Sequence, residues 1–106
     1  MQESMSRSFV KNGAALLDAM ANEKRLLILN ILAQGEMSVG SLSEIVGLSQ
    51  SALSQHLGKL RAGRLVNTRR DAQTIYYSCQ EDSVKRVLAM LAELFEEKTD
   101  GKSLAA

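Results

Sequence analysis

The sequence predicts a mainly α-helical domain with one small β-hairpin, and three observations lead to this fold class. Apolar residues recur at helical spacing in five segments of the 106-residue chain. A short turn containing Gly47 joins two of these segments, and a β-prone stretch with a short link follows them. With 45% hydrophobic residues, the chain is expected to form one domain over residues 1–106. The expected ordered core is 8–97, and residues 98–106 are expected to be a flexible tail.

The first two helices are predicted from their apolar faces. Residues 8–20 form an amphipathic helix whose apolar side consists of Phe9, Leu16, Leu17 and Met20. Asn22 is a suitable N-cap for the second helix. Because residues 26–32 of that helix are apolar on nearly all sides, we expect it to be the central buried element. One short strand, Met37–Val39, should follow it.

A helix-turn-helix is predicted in the middle of the chain. Ser41 and Glu44 stand at the spacing of a capping box, which would open a short third helix. The residues of this helix expected to face inward are Leu42, Ile45 and Val46. Gly47 should end the helix and Ser49 should open the next one. Two helices joined in this way are typical of DNA-binding proteins, in which the second helix enters the major groove.

The fourth helix, within Leu48–Arg61, divides into an apolar face and a polar face. At about 100° per residue, the apolar face consists of Leu53, Leu57 and Leu60, and the polar face of Ser51, Ser54, Gln55 and Gly58. Hydroxyl and amide groups can hydrogen-bond to base edges, so we expect this face to lie in a DNA groove. The predicted base-contacting residues are Gln50, Ser51, Ser54, Gln55 and His56. For His56, which lies between the faces, a buried-edge or phosphate-contacting role is an equal alternative.

A basic β-hairpin is predicted after Gly63. Residues 65–70 and 74–78 are β-prone, and the three-residue link between them would place an arginine pair at the tip. Residues 48–78 carry five Lys and Arg against one Asp, a net +4 in a chain of +1 overall. Such segregation is typical of nucleic-acid contact, although solvated charge is the simpler alternative. The predicted contacts to the DNA backbone or minor groove are Lys59, Arg61, Arg69, Arg70, Gln73 and Tyr76.

The last helix is expected to begin near Glu81 and Asp82 and to carry a wide apolar stripe. A domain of this size has little interior left once the second helix is covered, so the stripe should pair with a second copy of the chain. A homodimer would place two recognition helices about one DNA turn apart, as an inverted repeat requires. The predicted interface consists of Phe9, Leu16, Leu17, Val84, Leu88, Leu91 and Phe95.

Other classes of function receive little support from the sequence. There is no glycine-rich phosphate loop, no pattern of paired catalytic carboxylates and only one histidine, so neither an enzyme nor a cofactor is expected. Without a run of about 18 apolar residues or a signal peptide, we expect a cytoplasmic protein with no membrane partner. Two alternatives stay open. One is a winged-helix module that binds a protein, and the other is a redox-responsive regulator that uses Cys79, for which a packing role is favoured.

Three segments, in this order and spacing, resemble the ArsR family of winged helix-turn-helix regulators, in the branch of NolR- and HlyU-type proteins: ANEKRLLILNIL, LSQSALSQHLGKLR and LVNTRRDAQTIYYS. The resemblance covers Leu16 to Phe95. It implies a homodimer held by the first and last helices, with the recognition helix in the major groove and the hairpin as a wing on the adjacent backbone or minor groove. It also implies a transcription regulator, with repression from an inverted-repeat operator as the expected activity.

The resemblance does not extend to the family's metal sites. Metal-sensing members carry a motif of the form ELCVCDL, and this chain has Ser38 and Gly40 where the two thiolates would be. A second family site uses Asp and His ligands on the last helix, yet residues 81–97 contain no histidine. We therefore expect a metal-independent regulator, and the sequence indicates no small-molecule effector.

Overall fold

The computed structural model describes residues 6–96, in which five helices surround a core and a three-stranded sheet forms one side. The predicted mainly helical fold with a hairpin is confirmed. The predicted tail at 98–106 lies outside the described residues. None of the helices in the described range is long and apolar enough to span a membrane. The elements are α1 (Arg7–Met20), α2 (Glu23–Gln34), β1 (Met37–Ser38), α3 (Val39–Val46), α4 (Gln50–Ala62), β2 (Asn67–Asp71), β3 (Thr74–Ser78) and α5 (Asp82–Phe95).

Polar side chains set the starts of α2 and α4 at the predicted positions. The Oδ1 atom of Asn22 accepts hydrogen bonds from the backbone N–H groups of Lys24 and Arg25, at 2.8 and 3.0 Å. The Oγ atom of Ser49 accepts from the N–H of Ala52 at 3.1 Å. Each bond satisfies a donor that has no partner within the helix, and such a cap contributes about 1 kcal/mol.

The start of α3 differs from the prediction. Ser38 is the N-cap, because its Oγ accepts from the backbone N–H of Ser41 at 3.2 Å. The helix therefore begins at Val39, and Ser41 lies in its first turn. The predicted strand is correspondingly shorter by one residue. Gly47 ends α3 as expected, with a φ of 72°, a left-handed conformation that glycine adopts without steric cost.

The core is centred on α2, as predicted. Ile28, Leu29 and Leu32 are at most 1% exposed, and α2 contacts all four other helices and β3. The remaining helices contribute Met20, Leu42, Val46, Leu53, Leu57, Leu60 and Val84. The inward orientation predicted for Ile45 is wrong, since this side chain is 58% exposed. It lies about 100° around α3 from the buried Val46, beyond the edge of the helix's apolar face.

The sheet is antiparallel, with strand order β1-β3-β2. Successive residues of a strand face opposite sides. Accordingly Tyr77 is 7% exposed in the core, whereas Tyr76 lies half-buried on the outer face. The two tyrosines of β3 therefore lie on opposite faces of the sheet.

The tip of the hairpin is formed by Ala72 and Gln73, between Asp71 and Thr74. Because β2 continues to Asp71, Arg70 and Arg69 lie within the strand, one and two residues before its end. The prediction of an arginine pair at the tip is therefore wrong. Ala72 has a φ of 58°, in the left-handed region that two-residue hairpin turns use.

Candidate nucleic-acid interface

The two faces of α4 are separated as predicted. Leu53, Leu57 and Leu60 are at most 2% exposed and fix the helix against the core. On the opposite side Ser51, Ser54 and Gln55 are exposed. Among the side-chain hydrogen bonds of residues 6–96, none involves these three. Their donors and acceptors are therefore available to a bound molecule.

Gly58 lies on the same exposed face of α4. A Cβ atom added there would meet no other atom within 4 Å, apart from the helix's own backbone. Packing within the protomer therefore does not require a glycine at this position. What the glycine provides is a place where another molecule can approach the helix backbone closely.

His56 lies at the boundary of the two faces and is half-buried. Its Nδ1 atom is 3.5 Å from Nη1 of Arg25, whose Nε donates to the carbonyl of Ala19 at 2.6 Å. A guanidinium group only donates, so a hydrogen bond at this contact would use Nδ1 of His56 as the acceptor. The other polar atom of the ring is Nε2.

Lys59 connects the recognition helix to α1. Its Nζ atom lies 3.0 Å from Oδ2 of Asp18, and both side chains are well exposed. An exposed pair of this kind contributes about 0–1 kcal/mol, so little free energy is needed to release the lysine to another anion. Among the ion pairs of residues 6–96, none includes Arg61 or Arg70.

Two clefts bring predicted contact residues of α4 and the wing together. Arg61 and Arg70 line a cleft of about 230 Å³ between the end of α4 and the sheet. Gln50 and Gln73 line another, of about 470 Å³, between the first turn of α4 and the hairpin turn. The recognition helix and the wing thus border shared clefts at both ends of α4.

Arg69 is held by contacts within the protein. Its Nε and Nη2 atoms donate to Oε2 and Oε1 of Glu36, each at 2.8 Å. Its Cζ atom lies 4.5 Å from the centroid of the Tyr76 ring. The hydrogen bond from Arg69 lowers the pKa of the Glu36 carboxyl and raises the pKa of the guanidinium. Two of the predicted wing contacts, Arg69 and Tyr76, therefore already have a partner.

The predicted dimer interface falls into three groups. Phe9, Leu17 and Phe95 are exposed by 58%, 59% and 77%. Leu16, Leu88 and Leu91 are half-buried. The prediction for Val84 is wrong, because this residue is 0% exposed and packs inside the protomer. Exposed apolar residues on the same two helices that were not predicted to lie at the interface are Val10, Met90 and Leu94.

Cys79 is 2% exposed and belongs to the core cluster, as its predicted packing role requires. Burial raises the pKa of its thiol. Both features disfavour the reactive thiolate that a redox sensor needs.

Residues 36–42 do not fit the thiolate metal site of the family motif. Ser38 uses its hydroxyl to cap α3, and Gly40 lies in the first turn of that helix without a side chain. A hydroxyl and a glycine supply neither of the two thiolates.

Three partners of site residues were missed by the sequence analysis: Asp18, Arg25 and Glu36. Arg25 and Glu36 lie 31 and 33 residues from the side chains they contact. No local spacing reveals such a pair. In the sequence, these two partners are visible only as charged residues next to a strand or near the start of a helix. Charged surface residues without a partner occur at the same places.

Comparisons of the sequence and of the structure with known proteins find the same group of bacterial regulators. The model for bacterial regulatory proteins of the arsR family matches residues 22–68. Nodulation protein NolR of Rhizobium meliloti is 61% identical over 87 residues, covering 82% of this chain and 71% of that protein. The crystal structure of NolR from Sinorhizobium fredii has a TM-score of 0.81 at 57% identity, covering 90% of this chain and 97% of that one.

Two further relatives extend the comparison. The transcriptional activator HlyU of Vibrio cholerae is 52% identical over 88 residues, covering 80% of this chain and 82% of that protein. A homodimeric winged helix-turn-helix DNA-binding domain from Mycobacterium bovis, solved by NMR, has a TM-score of 0.75 at 30% identity, covering 89% of this chain and 86% of that one. The resemblance to NolR- and HlyU-type regulators is confirmed.

Proposed function

This chain belongs to the arsR family of bacterial regulatory proteins, and we propose that it regulates transcription as a homodimer bound to an inverted-repeat operator. The observation that carries the proposal is the exposed face of α4. Its hydroxyl and amide groups have no partner among residues 6–96, and the buried leucines opposite hold the helix in a fixed orientation. Such a face can enter a major groove and contact base edges.

Different side chains of α4 would contribute different contacts. The amide of Gln55 can both donate and accept, which suits the N6 and N7 atoms of adenine. Ser51 and Ser54 can bond to several bases and add less selectivity. Gln50 lies in the first turn, at the end of the helix that enters the groove in this motif. His56 would contact a phosphate oxygen or the N7 or O6 atom of guanine through Nε2.

The basic residues around α4 would bind the DNA backbone. Arg61 and Arg70 line one cleft and have no carboxylate partner among residues 6–96, which supports a role in binding phosphate. Lys59 could join them by leaving Asp18. Gln73 borders the same cleft as Gln50 and could donate to a phosphate near the first turn of the recognition helix.

A homodimer is supported by the apolar outer surface of α1 and α5. Phe9, Leu17 and Phe95 are all more than half exposed in the single protomer. Large apolar side chains left exposed on helices in this way often mark an interface. The Mycobacterium relative is described as homodimeric, which supports the same assembly here. Dimerisation would double the basic surface presented to DNA.

For the direction of regulation we propose repression, because a dimer that covers promoter DNA prevents polymerase from using the same surface. The Vibrio relative carries the name of an activator, so the direction needs its own test. Deleting the gene should raise the output of a reporter driven by a bound promoter. A fall in output would replace repression by activation without affecting the DNA-binding proposal.

The proposal can be tested by selecting bound duplexes from a random 30-base-pair library at low salt. We expect recovery of a shared inverted repeat, and affinity for it that falls steeply as salt rises. Gln55→Ala should bind the selected duplex with less preference over single-base variants. Recovery of no shared sequence, together with no shift of any duplex at low salt, would refute the proposal.

A further inference from the structure

A bidentate ion pair crosses the full width of the sheet at the wing. Glu36 immediately precedes β1, which forms one edge, and Arg69 lies in β2, which forms the other. Two hydrogen bonds of 2.8 Å join the guanidinium to both carboxylate oxygens. Because the strand order is β1-β3-β2, the pair passes over the central strand.

The residue of the central strand beneath this pair is Tyr76. It is registered with Ser38 of β1 on one side and with Arg69 of β2 on the other. Residues paired across strands share one face of a sheet, and the Arg69 Cζ atom lies 4.5 Å from the ring centroid. Two hydrogen bonds and one ring face thus fix the guanidinium plane.

Of the two strands of the wing, β3 is held by its pairing with β1 and by the buried side chain of Tyr77, whereas β2 pairs with β3 alone. All five residues of β2 are exposed, so this strand buries no side chain against the protein. The bond between Glu36 and Arg69 is a link from β2 directly to the strand at the opposite edge, and β1 leads straight into α3.

Arg70 differs from its neighbour in every one of these respects. It is registered with Ile75 and so lies on the opposite face of the sheet from Arg69. Both arginines border the cleft lined by Arg61, but Arg70 has no ion pair within residues 6–96. An arginine already neutralised by a carboxylate must break that pair before it can displace counterions from DNA, whereas Arg70 need not.

We propose that Glu36, Arg69 and Tyr76 form a clamp that positions the wing for DNA binding. Arg69 is then a positioning residue, and Arg70 makes the phosphate contact of the wing. The DNA part of this inference rests on the proposed function, whereas the positioning of the wing can be measured without DNA.

The clamp itself is tested in the free protein by hydrogen exchange of the β2 and β3 amides. Glu36→Gln and Arg69→Gln should each speed this exchange about threefold to fivefold, as expected for the loss of a well-formed exposed ion pair. The double variant should resemble Arg69→Gln, because both lose the ion pair and the contact of the guanidinium with the Tyr76 ring. The matched control is Arg70→Gln, which removes an identical charge from the next residue and should leave exchange unchanged. Wild-type exchange in Glu36→Gln would overturn the clamp.

The division between the two arginines is tested by titrating the duplex selected on wild-type protein over a range of salt concentrations. Arg70→Gln should reduce the slope of log K against log salt by about 0.9 for each protomer. Arg69→Gln and Glu36→Gln should keep the wild-type slope and weaken binding by a similar factor of about two to five at every salt concentration.

The alternative, in which Arg69 rather than Arg70 binds phosphate, predicts different results. If Arg69 binds phosphate and Glu36 merely competes for it, Glu36→Gln will strengthen binding and Arg69→Gln will reduce the salt slope. Either of these two changes would overturn the assignment. If wild-type protein binds no duplex at low salt, the proposed function fails, but the exchange measurements still decide whether the clamp holds the wing. Thermal melting of each variant verifies that the domain remains folded.

Discussion

The recognition helix and the wing are held in place by different forces. Three leucines of α4 are at most 2% exposed, so apolar burial fixes the helix and leaves a whole face free for other contacts. The outer strand of the wing buries no residue, and a bidentate ion pair links it to β1. Apolar burial depends little on salt or pH, whereas an ion pair depends on both. The orientation of the wing should therefore respond to solution conditions under which the orientation of α4 stays constant.

The largest effect is expected from removing the apolar support of α4. Leu53 is fully buried, so Leu53→Ala leaves a cavity in the core. The substitution should lower the free energy of unfolding by about 2–5 kcal/mol. Thermal or urea denaturation measures this change, and Ser54→Ala, one residue further on the exposed face, is the matched control. A loss confined to DNA affinity, with normal stability, would contradict the proposed role of the leucine.

A smaller and more local effect is expected on the free face of α4. Gln55→Ala should reduce discrimination between bases at one operator position by about 1–3 kcal/mol, because a bidentate amide contact to a base is lost. Unfolding should change by no more than about 0.5 kcal/mol, since the side chain is exposed. Competition binding with single-base variants of the selected duplex provides the measurement. Unaltered base preference would remove Gln55 from the base-contacting set.

Gly58→Ala should change stability and binding in opposite directions. A methyl group at this position meets no atom within 4 Å, and alanine favours a helix over glycine, so stability should rise by about 0.5–1 kcal/mol. If the groove approaches the backbone here, the same methyl will weaken DNA binding. Denaturation and duplex titration of one preparation give both values. Increased stability with unchanged binding would mean that DNA does not approach this part of α4.

The smallest effect is expected from pH, and it should be confined to the wing. The hydrogen bond from Arg69 lowers the pKa of Glu36 below its ordinary value of 4.5. A lowered pKa in the folded state means that the clamp contributes fully above pH 4.5 and is lost as pH falls through the lowered value. The difference in β2 and β3 amide exchange between wild type and Glu36→Gln, corrected for intrinsic exchange rates, should stay constant from pH 7 to 5 and disappear at lower pH. An exchange difference that grew as the pH fell would contradict the prediction that protonation of Glu36 releases the clamp.

The parts of the fold that could be predicted from the sequence depend on short-range chemistry. Asn22 and Ser49 cap helices through bonds to residues two or three positions ahead. The spacing of Leu53, Leu57 and Leu60 determines which side of α4 is buried. Such relations lie within one turn of a helix or a few turns along it, so the order of residues is sufficient to reveal them.

The errors arose where a longer-range contact decides between local alternatives. Ser38 and Ser41 both satisfy the preference for a helix cap, and the pairing of β1 with β3 determines where the strand ends and the helix starts. The position of Arg69 in the hairpin depends on how far β2 extends. Its partner Glu36 immediately precedes β1, which lies on the other side of β3. Val84 has the same apolar character as a residue at a dimer interface, and only the packing of α5 shows that it is enclosed.

The apolar side chains exposed on α1 and α5 have a consequence for regulation. If they hold the proposed homodimer together, the amount of dimer depends on how much protein the cell contains. In the proposed homodimer, Phe9, Leu17 and Phe95, which are exposed in the protomer, would leave water when two protomers associate. While dimers are scarce, their number then increases with the square of the protomer concentration. While protomers predominate, a twofold change in synthesis then changes the number of dimers available to the operator by about fourfold. A regulator that binds DNA as a dimer can in this way respond to its own cellular concentration.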